Sequence, residues 1–388
     1  MTFAPVYEGE RLDGLDILRG FAVLAIFIVN VKMMANGFNH YRDITLWDGE
    51  LAQLIGLLHS RLVHGKFVTI FTALFGAGLA LLLARANPVP LRIVLKRLFW
   101  LMIFGGLHLI FLREGDILIW YALAGFLAIP FARLSVPVLL GAGVALEAVA
   151  FAVYELFPFS VTDAPILWRV TPDAHEEVAA IMLGPVAGQI AARVDAAGYY
   201  MIDLFVLGGV WIDTLAVMVL GMALLKTGFL SGTRPLKSYV TWGVIGVIVA
   251  FIYYLLRPHV DTENAVQSFV LNVTGYLHRF GGALAWSSLI IGAVTAGWKG
   301  AGLASVGRTA FTVYILQSVI GLLLFSSLGF GLFGQWSLPT LMVVTLLVWI
   351  GFIVAATVWL RVFRFGPLEW LWRSLTYGTL QPMKRENA

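Results

Sequence analysis

The sequence predicts an all-α fold, a polytopic integral membrane helix bundle of about ten transmembrane helices with both termini in the cytoplasm. Three observations lead to this prediction. Hydrophobic residues make up 60% of the chain and charged residues only 12%, and the mean hydropathy is +0.88, whereas soluble domains are far more polar. Apolar stretches close to the roughly 20 residues that a bilayer requires recur along the chain. Lysine and arginine gather in alternate loops, which the positive-inside rule places in the cytoplasm.

The apolar stretches define the predicted spans in order. They cover residues 15–33, 67–84, 93–112, 117–133, 136–156, 203–225, 239–256, 280–298, 309–330 and 339–360. No linker divides them, so we predict a single transmembrane domain over residues 1–388. An extracytoplasmic segment, 157–200, separates its two halves. Within that segment, residues 173–183 have the acidic start and apolar spacing of an amphipathic helix, which residues 188–193 would continue.

Composition excludes several kinds of chemistry. The chain has no cysteine, which rules out a thiol nucleophile, a disulfide framework and any thiolate-bound metal. We find no phosphate-binding loop, dinucleotide fingerprint or HExxH motif, and we expect no metal site and no tightly bound cofactor. The net charge of +4 falls mostly in loops that face anionic lipid, so it indicates membrane topology and not nucleic-acid binding.

The first predicted span carries a permanent cation. An arginine near the middle of a membrane helix costs about 2.5–3.5 kcal/mol on insertion scales and is normally kept only where it faces a partner or a watery cavity. Asp16, Arg19 and Asn30 share one helix face, with about 16 Å between Arg19 and Asn30 along the axis. This stripe predicts either a binding or catalytic site or a buried ion pair that only fixes helix packing.

Other polar residues stand at or just inside predicted span ends. On the predicted outer side these are Lys66, which opens the second span, His108 and Asp116 around the turn after the third, and His278, which opens the eighth, together with Asn30 and His40. Their convergence predicts a polar outer vestibule, unless each side chain merely reaches for the interface. On the inner side, Arg308 opens the ninth span and Gln317 follows within it. Glu369 and Arg373 have the spacing of a surface ion pair.

Five ordered motifs resemble the YeiB family of bacterial inner-membrane proteins. They are LDILRGFA at 15–22, GKFVTIFTALFGAG at 65–78, GDILIWYA at 115–122, GRTAFTVYILQS at 307–318 and GPLEWLWR at 366–373. The resemblance runs from end to end and implies a multi-pass protein of the bacterial inner, or plasma, membrane. The family itself is known chiefly as a domain of unknown function.

The first span is also distantly similar to that of the transmembrane acyltransferases, which include the type-three acyltransferases and the lysosomal heparan-glucosaminide N-acetyltransferase. Arg19 matches an arginine that type-three enzymes follow, after ten residues, with a functional histidine. Asn30 stands at that place here. The heparan enzyme has an asparagine there and its functional histidine about eleven residues later, whereas this chain offers His40 ten residues after Asn30.

This similarity implies acyl transfer from a cytoplasmic acyl-CoA thioester, the co-substrate, to a lipid, glycan or small polar acceptor outside. Arg19, Asn30 and His40 would be catalytic, with His40 as base or acyl carrier and Asn30 holding the oxyanion. His108 and His278 are the next candidates for the base. Substrate-binding residues would be Asp16, Lys66, His108, Asp116, His278, Arg308 and Gln317.

Other functions remain open at this point. The main alternative is a transporter or lipid-translocating protein in which Arg19, Asp16 and Lys66 bind an anionic headgroup. A membrane scaffold or sensor, or a quinone or haem protein, is a further option. Membrane lipids are expected partners, and the glycine-rich spans would allow close contacts within one subunit or in a homodimer.

Overall fold

The computed structural model describes residues 13–42, 47–83, 89–157, 163–171, 173–207, 209–260 and 264–385. In these ranges the regular structure is helical, apart from one isolated bridge between Phe363 and Lys384. The first eight α-helices are α1 (Asp13–Arg42), α2 (Glu50–Leu62), α3 (Lys66–Leu83), α4 (Leu91–Phe111), α5 (Leu118–Ala128), α6 (Val136–Leu156), α7 (Ala174–Leu183) and α8 (Val186–Tyr199). The remaining seven are α9 (Val210–Lys226), α10 (Leu236–Leu256), α11 (Ala265–Thr295), α12 (Ala301–Arg308), α13 (Ala310–Phe325), α14 (Leu338–Val362) and α15 (Pro367–Tyr377).

Six stretches of described helix are long and apolar enough to cross a membrane, so the chain is an integral membrane protein. They are Asp13–Phe38, Glu50–Leu83, Leu91–Phe111, Val136–Leu156, Leu236–His259 and Leu338–Val362. The bent pair α12 and α13, which meet at 82°, makes a seventh if it forms one span. Helices also cover most of the other predicted segments, 117–133, 203–225 and 280–298, but α5 has 11 residues and α9 has 17. The count of ten and the cytoplasmic termini therefore stay predictions.

Helix α1 is the central helix of the bundle. It packs against α3, α11, α12, α13 and α14, and 67% of its apolar window is buried, against 17% for α6 and for α10. Peripheral helices of a membrane bundle turn apolar side chains outward because the bilayer replaces water as their solvent. The polar stripe of α1 is therefore enclosed by protein rather than by lipid.

Helix backbones approach each other closely at glycines. On α3, a Cβ added to Gly76 would overlap the backbone of Met218, and on α9 a Cβ added to Gly221 would overlap the backbone of Ala73. The two contacts are reciprocal, so α3 and α9 meet backbone to backbone, as small residues allow in membrane helices. Similar glycine contacts join α1 to α12 and α10 to α11, at Gly20, Gly307, Gly246 and Gly281.

The sequence predicted a surface ion pair between Glu369 and Arg373. For the Glu369 carboxylate this prediction is wrong. Helix α15 turns Glu369 toward the start of α13, where it accepts hydrogen bonds from the backbone N–H groups of Phe311 at 2.7 Å and Thr312 at 3.1 Å. It also accepts from the Thr312 hydroxyl at 2.6 Å. Thr309 interrupts the helix before this point and leaves these donors without intrahelical partners. Glu369 thus caps α13 from a distant part of the chain.

The predicted amphipathic helix at 173–183 is present as α7. After Pro185 the chain forms α8, which is longer than the continuation predicted at 188–193. These two helices, here called the roof, pack against α1 and α4. Ser327 holds the roof through its N–H to the Met182 carbonyl at 2.9 Å and its hydroxyl to the Gly184 carbonyl at 2.6 Å.

We expect Gly221→Ala to lower the melting temperature of the detergent-purified protein. The new methyl group meets the backbone of Ala73, which no rotamer change can relieve, and overpacking of this kind costs about 1–3 kcal/mol. The matched control is Gly141→Ala in α6, where a Cβ meets nothing within 4 Å and alanine favours the helix. Equal melting temperatures for the two variants would contradict the α3–α9 contact.

Candidate functional site

A cavity of about 370 Å³ opens into the bundle from the end where basic residues collect. Its charged lining, among the described residues, consists of five arginines and two acids: Asp16, Arg19, Arg97, Arg308, Arg364, Glu369 and Arg373. Five positive and two negative groups leave an excess of three positive charges. An anionic ligand group is therefore favoured at this end, which we call the basic mouth.

The deeper walls of the cavity are apolar. They come mainly from α3, α4 and α5, and the cavity extends to Leu118, Tyr121 and Tyr314. Helix α5 packs on α4 so closely that a Cβ on Gly105 would lie 2.5 Å from the Ile119 nitrogen. On α3 the lining of the cavity runs from Leu82 back to Phe71, eleven residues or about 16 Å of helix. Its shape and polarity suit an amphiphile with an anionic head and an apolar chain.

A buried group of polar side chains lies behind Tyr314, a residue that lines the deep end of this cavity. The Tyr314 hydroxyl, which borders the cavity, is 3.4 Å from Asp116 Oδ1. His108 Nδ1 is 2.8 Å from the same oxygen, and His108 Nε2 is 2.8 Å from Ser318 Oγ. His108, Asp116 and Ser318 are 1%, 0% and 2% exposed. We call these three residues the buried array.

Local sequence explains how the array forms. The turn between α4 and α5 is short, so Asp116 folds back over the last turn of α4, where His108 lies. The other carboxylate oxygen, Oδ2, accepts a hydrogen bond from the Ile119 nitrogen at 2.7 Å and so caps the start of α5. The Tyr200 hydroxyl donates to the Asp116 carbonyl. That bond holds the backbone of Asp116, while its carboxylate contacts Ile119 N, His108 and Tyr314.

The three residues of the array have the arrangement of a nucleophile (Ser318), a base (His108) and an acid that orients the base (Asp116). Asp116 Oδ1 lies off the axis of the His108 Nδ1–H bond, so this contact is electrostatic rather than a straight hydrogen bond. A carboxylate at this place favours the proton on Nδ1 and leaves the Nε2 lone pair to accept the Ser318 hydroxyl proton. Serine, histidine and aspartate in this relation can activate a hydroxyl group.

The residues that the resemblance to acyltransferases singled out are not brought to one point. Arg19 lies at the basic mouth and pairs with Asp16, with 2.7 Å between Nη1 and Oδ1. Asn30 is buried eleven residues farther along α1. His40 lies beyond a kink at Gly37, 21 residues or about 31 Å of helix from Arg19. Its ring is 4.4 Å from that of His175 in the roof.

The predicted vestibule also divides into separate groups. Lys66 is fully buried, and its Nζ donates to the carbonyls of Ser60 and His64 at 3.1 Å and lies 2.5 Å from His278 Nε2. His278 Nδ1 is 2.7 Å from the Ala250 carbonyl, which places the proton on Nδ1 and leaves Nε2 to accept from Lys66. This group lies between α2, α3, α10 and α11, away from the buried array.

A third group joins α6, α9 and α11. Arg279 pairs with Asp213, and its Nη2 lies 3.5 Å from Glu147 Oε2. The Tyr276 hydroxyl is 2.8 Å from Glu147 Oε2 and 3.1 Å from Asp213 Oδ1. One guanidinium and one phenol therefore hold two carboxylates together inside the bundle.

Neither Ser318 nor Tyr314 is among the site residues predicted from the sequence. A helical wheel offers one signal, because Tyr314 and Ser318 are four residues apart and share a face. Gln317, which was selected, instead donates from Nε2 to the Val23 carbonyl at 3.1 Å and ties α13 to α1. A single serine in an apolar helix carries little information until its neighbour His108 is known.

Removing a positive charge from the basic mouth should weaken binding of an anionic amphiphile. We expect Arg308→Gln to reduce dodecyl phosphate binding about fivefold, since one partly screened charge contributes about 1 kcal/mol. Native mass spectrometry or calorimetry measures this binding, and neutral dodecanol should bind both proteins alike. The control Arg361→Gln removes an exposed charge outside the cavity. An equal loss in both variants would show that general surface charge, not the mouth, attracts the ligand.

Comparison with known proteins places the whole chain in one family. Residues 224–379 match a family described as a protein of unknown function, DUF418. The uncharacterized protein YeiB of Escherichia coli K12 is 33% identical over 399 residues, which cover 96% of this chain and 98% of that protein. The uncharacterized protein YxaH of Bacillus subtilis 168 is 26% identical over 99% of both chains. On this full-length similarity, the chain belongs to the YeiB family.

Proposed function

We propose that this protein is an integral membrane acyltransferase. It takes an acyl group from a thioester donor of the acyl-CoA type at the basic mouth and transfers it to a hydroxyl- or amine-bearing acceptor at the opposite side of the buried array. The observation that carries the proposal is the position of the array. Asp116, which contacts His108, lies 3.4 Å from the hydroxyl of Tyr314, and Tyr314 lines the deep end of a cavity whose mouth is basic and whose walls are apolar.

The cavity accounts for recognition of the donor. Phosphate groups of a CoA thioester bind guanidinium groups at the mouth, where arginines outnumber acids. The acyl chain and thioester then extend along the apolar walls toward Tyr314. The distant similarity of the first span to transmembrane acyltransferases supports this arrangement, because Arg19, the residue that carries the similarity, lies at the mouth.

The array supplies a nucleophile and a base. Ser318 Oγ attacks the thioester carbonyl carbon while His108 Nε2 takes the hydroxyl proton and Asp116 stabilises the resulting imidazolium. The C–S bond breaks, and the proton passes from His108 to the departing thiolate. The acceptor then attacks the acyl-serine and gives its proton to His108. The bond between the acyl group and Ser318 Oγ breaks, and His108 passes the proton to that oxygen. The base is assigned to His108 and not to His40, because only His108 lies close to the donor cavity.

A transporter of an anionic substrate is the second candidate. The observation in its favour is that a smaller pocket, lined by Leu112 and Gly321, begins one helical turn beyond His108 and Ser318 on the side away from the large cavity, so the array has the position of a gate. Under that function the substrate crosses unchanged, and no acyl-serine forms. The two functions therefore differ in covalent chemistry, which can be measured directly.

We expect Ser318→Ala and His108→Ala each to reduce CoA release from acyl-CoA at least about 100-fold, since nucleophile and base each contribute on this scale. The assay is direct because the chain has no cysteine, so a thiol reagent detects only the CoA that is released. Native mass spectrometry should show that both variants still bind the donor. Intact-protein mass spectrometry of the wild type should find an acyl group on Ser318.

His40→Ala serves as the control, since it removes a half-buried histidine that lies outside the buried array. It should retain CoA release close to that of the wild type. Loss of release in His40→Ala with normal release in His108→Ala would move the base to His40. Donor binding without CoA release in the wild type, under any acceptor condition, would overturn acyl transfer and favour transport.

A further inference from the structure

A second, smaller pocket lies on the far side of the buried array. Its lining is largely apolar, with Met33, Leu112, Val178 and Phe333 among its walls, and it has room for about one water molecule, with a volume of about 20 Å³. Two charged residues, Glu114 and Arg193, also line it. We call it the outer pocket.

Chain geometry places the outer pocket next to the array. Gly321 and Leu322, which line the pocket, follow Ser318 by three and four residues on α13. Leu112, another lining residue, follows His108 by four residues. Residues at these spacings lie one turn farther along the same helix face. The donor cavity reaches the array through Tyr314, one turn before Ser318, so cavity and pocket lie on opposite sides of the same three residues.

Arg193 is buried with no acid within ion-pair distance in the described part of the chain, and the charge of Glu114 acts on it only from a longer distance. Its side chain is 1% exposed, and Nε and Nη1 have no hydrogen-bond partner among the described residues. Within the described ranges its hydrogen bonding is a long contact of 3.5 Å from Nη2 to Gln189 Oε1. Glu114 lies in the same pocket, but no ion pair within 4.0 Å joins the two in the described part of the chain. A buried guanidinium normally has a carboxylate or phosphate partner.

Gln189 fixes the place of this arginine. Its amide Nε2 donates to the Met182 carbonyl at 3.0 Å and to Ser327 Oγ at 2.8 Å, which leaves Oε1 turned to Arg193. Ser327 follows α13, while Met182 and Gln189 belong to the roof. Arg193 is therefore held at the contact between the roof and α13, with unused N–H groups in the outer pocket.

We propose that the outer pocket is the acceptor site and that Arg193 binds an anionic group, a carboxylate or a phosphate, on the acceptor. The term acceptor rests on the proposed function, whereas the anion site rests on Arg193 alone. A guanidinium offers several N–H donors in one plane to the oxygens of such a group. The hydroxyl or amine of the acceptor then lies toward Ser318, one helical turn away.

The present volume of the pocket requires movement on binding. It holds about one water molecule, so a hydroxy acid or a phosphorylated alcohol enters only when the roof moves away from α13. The roof meets Ser327 through three hydrogen bonds, to the Met182 and Gly184 carbonyls and from the Gln189 amide. These bonds are few and polar, so an entering ligand can replace them.

The first experiment compares two acceptors that differ in one charged group. CoA release from acyl-CoA is measured with sn-glycerol 3-phosphate and with glycerol at equal concentration. We expect the phosphate to accelerate release at least tenfold more than glycerol in the wild type. Arg193→Gln should abolish this preference, and Arg193→Lys should retain part of it. Equal acceleration by both acceptors in the wild type would overturn the proposal.

The matched control is Arg169→Gln, which removes an arginine of the same outer segment. That guanidinium is one-third exposed and lies 3.6 Å from Glu177, outside the outer pocket. The preference for the phosphate should persist in this variant. Its loss in Arg169→Gln as well as in Arg193→Gln would assign the effect to general charge of the segment.

The second experiment needs no turnover and separates this proposal from the proposed function. The melting temperature of the wild type in nanodiscs of phosphatidylcholine is measured with sn-glycerol 3-phosphate, with glycerol, and with phosphatidic acid added to the bilayer. A rise with either phosphate compound but not with glycerol supports the anion site, and the effective compound distinguishes a soluble from a lipid source. Arg193→Gln should remove the rise. Phosphate binding without any CoA release supports the anion site and overturns acyl transfer. CoA release without phosphate binding supports acyl transfer and overturns the anion site.

Discussion

An ionised side chain inside a bilayer has to find water, an opposite charge or enough hydrogen-bonding dipoles, and the arrangement of this bundle follows from that constraint. Each buried group meets it differently. Arg19 pairs with Asp16 where a cavity admits water. Arg279 binds two carboxylates that Tyr276 also bridges. Lys66 is surrounded by carbonyl oxygens and a histidine nitrogen. These solutions join helices that are far apart in the chain, so they also determine which helices are neighbours.

The close glycine contacts belong to the same constraint. Side-chain partners such as His108 and Ser318 stand 2.8 Å apart, which requires α4 and α13 to approach each other at short distance, as the other helices of the bundle do. Apolar packing in lipid has little hydrophobic drive of its own, because the lipid tails are equally apolar. Backbone contact at Gly76, Gly221 and Gly307 supplies van der Waals attraction instead. The polar groups therefore determine which helices are neighbours, and the glycines allow these helices to approach each other closely.

The class of fold was predictable from the sequence, whereas the site was only partly so. Span length and hydropathy depend on local composition, and the amphipathic helix at 173–183 depends on local spacing, so both could be inferred without tertiary information. Glu369 could not, because its partner is the start of α13, exposed by a helix break at Thr309 that leaves no mark in the apolar pattern. Asp116 and His108 could be selected as candidates because polar groups at the ends of an apolar run are themselves a signal. Ser318 and Arg193 acquire meaning only from neighbours on other helices.

The enclosure of Lys66 has a consequence for how the protein is made. Its partner His278 lies 212 residues later in the chain, so at about 5–20 residues per second the ribosome needs roughly 10–40 s to supply it. During that interval the ammonium group has the Ser60 and His64 carbonyls, which the same stretch of helix, Glu50–Leu83, provides. These two oxygens take the place of water around the ammonium group until the later helices are made. Final burial of the lysine is then a late step, completed when α11 arrives.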